Sequence, residues 1–182
     1  EIVPHGGTAL ALRGLKGSTK DVDINITKRE WFDQFCQAME LMGYKKDWDM
    51  MAKPGREHSI RYFSDKYALD TVDLHYPTWN NWSITDTIKR RADILRFGNL
   101  VVILLDRDTV FLFKTYPCRV TDIADLKNIQ SHAPLDMTYM RNLFEEQEAL
   151  LRMRDDLDPV ISIVNLRVRA YLSISTLKKS SG

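Results

Sequence analysis

The sequence predicts an α+β fold, in which a small mixed β-sheet is flanked by helices and followed by a C-terminal helical extension. Residues 21–26 alternate between polar and apolar side chains, which is the pattern of a strand with one face in a core. Residues 131–134 include a serine and a proline and are typical of a hinge, and only helical patterns follow them. We therefore predict one mixed domain over residues 1–130 and a helical segment over residues 135–182.

The individual elements follow from hydrophobic spacing, from capping residues and from the positions of glycine and proline. In order, we expect a strand end at 1–4, a helix at 9–13 capped by Thr8, a strand at 21–26, a helix at 28–42 capped by Thr27, strands near 44–51, 59–63 and 68–76, a helix at 84–91, strand pieces at 95–104, and helices at 106–117, 120–130, 138–154 and 159–172.

The composition limits the possible function classes only weakly. The chain has 182 residues, 44% of them hydrophobic, and its 26 Lys and Arg nearly balance its 25 Asp and Glu. This balance gives no general reason to expect nucleic-acid or membrane binding. Two cysteines fit a reducing compartment, so we expect a cytoplasmic protein. The sequence starts without Met in what reads as a strand, and we expect residues upstream of it.

Two short segments carry the predicted chemistry. A turn at Gly6 and Gly7 is followed by Thr8, and the strand at 21–26 carries Asp21 and Asp23. Residues two apart on a strand point to the same face, so these two carboxylates project together. Carboxylates are hard oxygen ligands for Mg²⁺, and glycines let backbone N–H groups approach phosphate oxygens. The pair of segments therefore predicts a site for a divalent metal and a phosphate.

A third carboxylate, Asp73, would complete a catalytic metal site. It lies among apolar residues on a predicted strand that can run beside residues 21–26, whereas Asp70 lies nearer the start of that strand and is the weaker candidate. Three strand carboxylates can hold two Mg²⁺ about 3.5–4 Å apart for an in-line phosphoryl displacement. Asp73 can also act as a base toward an acceptor hydroxyl. The four histidines are scattered without metal-ligand spacing, so no zinc site is expected.

Taken together, these motifs resemble the nucleotidyltransferase superfamily, with its DNA polymerase β-like fold, and in particular its minimal stand-alone members related to AbiEii-type toxins. The residues that carry the resemblance are Gly6, Gly7, Thr8, Asp21, Asp23 and Asp73. It extends to Lys114 on a helix and to Arg119, Asp122 and Asp125 after it, although Thr121 stands where those relatives have a basic residue. The resemblance covers roughly residues 1–130.

The resemblance implies roles for individual residues. Asp21, Asp23 and Asp73 would hold the metal, and Asp73 and Lys114 would take part in catalysis. Nucleotide binding would involve Gly6, Gly7, Thr8 and Lys114. Other interpretations stay open: Thr8 as a helix cap, Lys114 as an exposed helical residue, and the paired carboxylates as solvent-facing strand residues.

The implied function is transfer of a nucleoside monophosphate from an NTP to an acceptor hydroxyl, with two Mg²⁺ ions, or Mn²⁺ in their place. The acceptor could be tRNA, a protein or a small molecule. A non-catalytic binding module, such as a toxin–antitoxin component, is the alternative, and a nuclease or phosphatase would need a second cluster of His and Asp. The C-terminal helices either pack on the domain or bind a second copy or an antitoxin partner. No membrane partner is expected.

Overall fold

The computed structural model describes residues 1–51, 59–66, 71–78, 82–115 and 119–152, and the side chains of 50, 51, 151 and 152 are left out of the description. In chain order its elements are β1 (Val3–Pro4), α1 (Gly6–Leu12), β2 (Asp21–Asn25), α2 (Arg29–Leu41), β3 (Lys45–Lys46), α3 (Trp48–Met51), β4 (Ser59–Phe63), β5 (Thr71–His75), α4 (Asp86–Lys89), β6 (Asp93–Phe97), β7 (Leu100–Leu104), α5 (Arg107–Thr115), α6 (Val120–His132) and α7 (Met137–Arg152).

Five strands form a mixed sheet in the order β1-β2-β5-β4-β3. Strands β2 and β5 run parallel, and the other neighbours in this sheet are antiparallel. Strands β6 and β7 form an antiparallel pair, and Ile2 makes a parallel bridge to Val102 of β7. A mixed sheet with helices before, between and after its strands is an α+β architecture, and the predicted fold class is confirmed.

The chain divides into two compact units, Glu1–Val110 and Phe111–Gly182, which we call the first and the second unit. The division between them falls within α5. The domain boundary that we predicted between residues 130 and 135 stays a prediction, as does the helix at 159–172, which lies outside the described residues. No helix in the described part of the chain combines the length and the apolar character that a membrane span requires.

The core of the first unit lies between α2 and the five-stranded sheet. Helix α2 buries Phe32, Cys36 and Met39, which recur at helical spacing, and the central strand β5 buries Val72 and Leu74. Cys36 is therefore a core residue, as its position in the amphipathic pattern predicts. Met42, the last residue of the predicted helix, is the C-cap of α2 and is 56% exposed.

Local structure differs from the prediction at two helix starts. Helix α1 begins at Gly6 with His5 as its N-cap, so Thr8 lies inside the helix and does not cap it. The Thr8 hydroxyl instead accepts a hydrogen bond from the Asp23 backbone N–H, at 2.8 Å, and donates one to the Asp21 carbonyl, at 3.3 Å. Helix α2 likewise has Lys28 rather than Thr27 as its N-cap.

The predicted strand at 44–51 was also only partly correct. Only Lys45 and Lys46 pair with β4, opposite Phe63 and Tyr62, and the chain then turns into the short helix α3. One further hydrogen bond follows this pairing, from the Asp47 N–H to the Arg61 carbonyl, at 2.9 Å.

Candidate active site

The parallel pairing of β2 with β5 brings the predicted carboxylates to one place. Asp23 is directly opposite Asp73 in the register, and Asp21 is opposite Thr71. Residues two apart on a strand share a face, so Asp21 and Asp23 lie on the same face of β2. The strand alternation and the register thus place all three predicted metal ligands on adjacent strands, as the sequence indicated.

A third side chain joins Asp23 and Asp73. One ligand atom each from Asp23, Asp73 and His75 all lie within 4.8 Å of one another. His75 Nε2 lies 4.0 Å from Asp23 Oδ1. Asp73 is buried, while the Asp23 side chain retains 26% of its exposure. The group therefore reaches solvent on the Asp23 side.

Asp21 has a different environment from that of Asp23. Its Oδ1 accepts a short hydrogen bond from the Thr71 hydroxyl on the neighbouring strand. Among the described residues, Asp21 does not belong to the group formed by Asp23, Asp73 and His75. Its role as a metal ligand stays a prediction that the register permits.

Arg61 forms a two-pronged ion pair with Asp73. Strand β4 places Arg61 opposite Asp73, where Nε donates to Oδ1 at 2.6 Å and Nη2 donates to Oδ2 at 2.5 Å. The hydrogen bond to Asp73 raises the pKa of the Arg61 guanidinium above its ordinary value. The two contacts hold the Asp73 side chain in a fixed orientation.

The glycine turn lies directly against the carboxylates. Gly6 has φ of +56°, a conformation that side-chain-bearing residues rarely adopt, and a Cβ built there would lie 3.1 Å from Asp23 Oδ2. A Cβ on Gly7 would lie 2.7 Å from Thr19 Oγ1. A Cβ at Gly6 would therefore crowd Asp23 in the candidate site, and a Cβ at Gly7 would require Thr19 to move.

Gly6→Ala is expected to cost more stability than Gly14→Ala. Gly14 also has positive φ, at +69°, but a Cβ there would meet nothing within 4 Å. Both variants should pay about 1–2 kcal/mol for the backbone conformation, and Gly6→Ala should pay about a further 1 kcal/mol for crowding Asp23. Urea denaturation of the two variants measures the difference. Equal losses would contradict the close approach of Gly6 to Asp23.

Lys114 lies in the second unit with two carboxylate partners. Its Nζ is 3.0 Å from Asp122 Oδ1 and 2.7 Å from Asp125 Oδ2, and the lysine is 3% exposed. The interpretation of Lys114 as an exposed helical residue was therefore wrong. Its predicted contact with a triphosphate stays a prediction.

Arg119, the N-cap residue of α6, completes this charged cluster. Its Nε donates to Asp122 Oδ2 at 2.8 Å, which is the ion pair expected from the spacing of the two residues. Burial alone would raise the pKa of Asp122, but the hydrogen bonds from Arg119 and Lys114 outweigh it, so the pKa lies below its usual value. The cluster therefore keeps Asp122 charged inside the second unit.

Comparisons with known proteins add little to this geometry. No protein-family model matches the chain, and no curated protein matches it significantly. Among solved structures, an antigenic nucleotidyltransferase-like protein from Paracoccidioides brasiliensis is similar over 89% of this chain and 84% of its own, with a TM-score of 0.45 and 16% sequence identity. Both the sequence identity and the TM-score are low, so the function of this chain has to be inferred from its own residues.

Two site residues, Arg61 and His75, were not predicted from the sequence. His75 follows Asp73 by two residues on the same strand, so strand parity was a signal that could have placed it on the same face. Arg61 becomes a neighbour of Asp73 only through the pairing of β4 with β5. That register depends on the intervening connection, which no local pattern specifies.

Proposed function

We propose that the chain is a metal-dependent nucleotidyltransferase, which moves a nucleoside monophosphate from an NTP to an acceptor hydroxyl and releases pyrophosphate. The observation that supports this proposal is the position of Asp23 directly opposite Asp73 on adjacent parallel strands. Gly6 lies against Asp23, so the backbone of the turn and the carboxylates border the same space. A phosphate and a cation could be bound side by side there.

The residues of the site fit a divalent cation. Asp23 and Asp73 offer hard oxygen ligands, His75 lies within reach, and Asp21 is the further predicted ligand. Arg61 contacts both oxygens of Asp73, but a carboxylate has about four lone-pair directions, so this contact does not exclude a cation. Bound Mg²⁺, with Mn²⁺ as a substitute and two ions as the resemblance implies, would stabilise the charge that develops on the phosphates.

The chain's own residues would divide the remaining work among them. Gly6 and Gly7 would let the backbone approach the triphosphate, while Thr8 holds α1 on β2 through its two hydrogen bonds. The acceptor oxygen would form a bond to the α-phosphorus as the bond from that phosphorus to the β-phosphate oxygen breaks. Asp73 is the proposed base for the acceptor proton, and Arg61 would orient it.

A non-catalytic binding module, such as a toxin–antitoxin component, is the second candidate. The observation that favours it is the ion pair between Arg61 and Asp73, because the guanidinium neutralises the third carboxylate. Such a module would bind nucleotide without turnover. The ion pair distinguishes the two candidates only by experiment, because a positioning role for Arg61 is also compatible with catalysis.

The partners of the proposed enzyme follow from the same interpretation. An NTP would be the donor, and tRNA or a protein hydroxyl the acceptor. The C-terminal helices would offer a surface for a second copy of the chain or for an antitoxin. Of these helices the structure describes α7, which buries Met140 and Leu143, and the segment 153–182 lies outside the described residues.

Pyrophosphate release tests the proposal. The protein is incubated with each of the four NTPs in turn, with Mg²⁺ or Mn²⁺, and with total RNA or total protein as acceptor. If the chain is a nucleotidyltransferase, we expect pyrophosphate release that depends on one acceptor class. Saturable NTP binding without pyrophosphate under any of these conditions would instead support the non-catalytic module.

A further inference from the structure

His75 adds a nitrogen ligand to a site whose predicted ligands are all oxygens. Its Nε2 lies 4.0 Å from Asp23 Oδ1. Two ligands bound about 2.0–2.2 Å from one ion can be at most roughly 4.4 Å apart, so this pair is already close enough to share a cation. In the full group, which includes Asp73, the three ligand atoms lie within 4.8 Å of one another. A small side-chain adjustment would bring all three within bonding distance of one cation.

The pairing of β2 with β5 brings these three side chains together. Asp73 and His75 are two residues apart on β5 and so share a face, and the register places Asp23 opposite Asp73. Arg61 fixes Asp73 from the β4 side. His75 is the remaining member, and its ring centroid lies 5.0 Å from that of His5.

Ligand chemistry then decides which cation is preferred. Mg²⁺ binds oxygen ligands almost exclusively in proteins, whereas first-row transition ions also bind imidazole nitrogen; among them Mn²⁺ is the ion that, like Mg²⁺, favours carboxylate and water for its other ligands. A set of two carboxylates and one imidazole is therefore a mixed set that suits such an ion better. We infer that His75 is a ligand of the cation held by Asp23 and Asp73, and that this site prefers Mn²⁺ to Mg²⁺. The inference rests on the proposed function and specifies its metal.

Mn²⁺ binding to the whole chain without nucleotide tests this inference separately from activity. Free Mn²⁺ is measured by electron paramagnetic resonance, and Mg²⁺ affinity is measured by competition. We expect the wild type to bind Mn²⁺ at least roughly ten-fold more tightly than Mg²⁺, and His75→Phe to lose roughly ten-fold or more of the Mn²⁺ affinity with little change for Mg²⁺. His75→Gln, which replaces the nitrogen with an amide oxygen, should reduce the preference similarly and serves if His75→Phe does not fold.

A neighbouring histidine provides the matched control. His5→Phe removes the adjacent imidazole, which lies outside the candidate group, and should keep the Mn²⁺ preference. Pulsed resonance should detect nitrogen coupled to Mn²⁺ in the wild type and in His5→Phe, but not in the His75 variants. An unchanged Mn²⁺ affinity and nitrogen signal in the His75 variants would overturn the inference while leaving nucleotidyl transfer possible. Absence of any Mn²⁺ or Mg²⁺ binding by the wild type would overturn both.

Discussion

Lys114→Met is expected to lower the free energy of unfolding by about 3–5 kcal/mol, because removal of one partner leaves buried charge uncompensated. Asp122 and Asp125 both contact Lys114 Nζ, and Asp122 is 1% exposed. Methionine has a similar length but no charge, so Asp125 would lose its lysine partner and Asp122 would keep only its ion pair with Arg119. Urea denaturation followed by circular dichroism measures the change.

Lys127→Met is the control for this variant, because Lys127 is an exposed lysine on α6. Its effect should stay within about 0.5 kcal/mol. A loss below about 1 kcal/mol in Lys114→Met would contradict the account of Lys114 as the counter-ion of a buried acidic pair.

The same cluster predicts a pH dependence of stability. The pKa of Asp122 is lowered in the folded chain from its ordinary 3.8, despite burial, by the hydrogen bonds from Arg119 and Lys114. A carboxylate with a lowered folded pKa contributes stability that is present above its unfolded pKa and is lost as the pH falls through the folded value. The wild type should therefore lose stability in acid below about pH 4 more steeply than Asp122→Asn does.

Asp23→Asn is expected to reduce nucleotidyl transfer by at least two to three orders of magnitude, roughly 3–4 kcal/mol of transition-state stabilisation. Asp23 is the most exposed member of the group that it forms with Asp73 and His75, and its charge would attract the cation. The substitution keeps the shape of the side chain and removes the charge. Stability should be unchanged or slightly higher, because repulsion with Asp73 is relieved.

Asp33→Asn is the matched control for this prediction. Asp33 is a half-exposed carboxylate on α2, in an ion pair with Arg29 on the same helix. Initial rates of transfer, measured with the same donor and acceptor for both variants, separate loss of the site from a general effect of removing one negative charge. Rates in Asp23→Asn close to those of the wild type would contradict the metal site.

Local patterns sufficed for the part of the site that lies on single strands. The alternation of residues 21–26 predicted that Asp21 and Asp23 share a face, because side-chain parity is a property of any extended chain. A strand beside residues 21–26 was also expected for Asp73, but the register that places Asp73 opposite Asp23 was not predicted. The face of a strand on which a side chain lies was therefore predictable, because the strand's own sequence determines it.

Long-range pairing and burial were harder to predict. Arg61 meets Asp73 through a register that is specified by the whole sheet rather than by its own neighbours in sequence. Lys114 looked like a surface residue, but every residue from Val110 to Thr115 is buried, and the uninterrupted apolar run before Lys114 was the available signal for a buried helix. Ion pairs that form on folding compensate for burying such charges, and a single-sequence pattern does not show them.

The position of the label on the donor tests the central claim most directly. The wild type and Asp23→Asn are incubated with the same NTP, labelled in parallel reactions on the α-phosphate or on the γ-phosphate, together with an acceptor pool and Mg²⁺ or Mn²⁺. The account predicts that the α-label, and not the γ-label, appears on the acceptor with the wild type, in equal amount to the pyrophosphate released. It also predicts that Asp23→Asn loses this transfer. Transfer of the γ-label, or no transfer of either label with every NTP and acceptor pool, would contradict it.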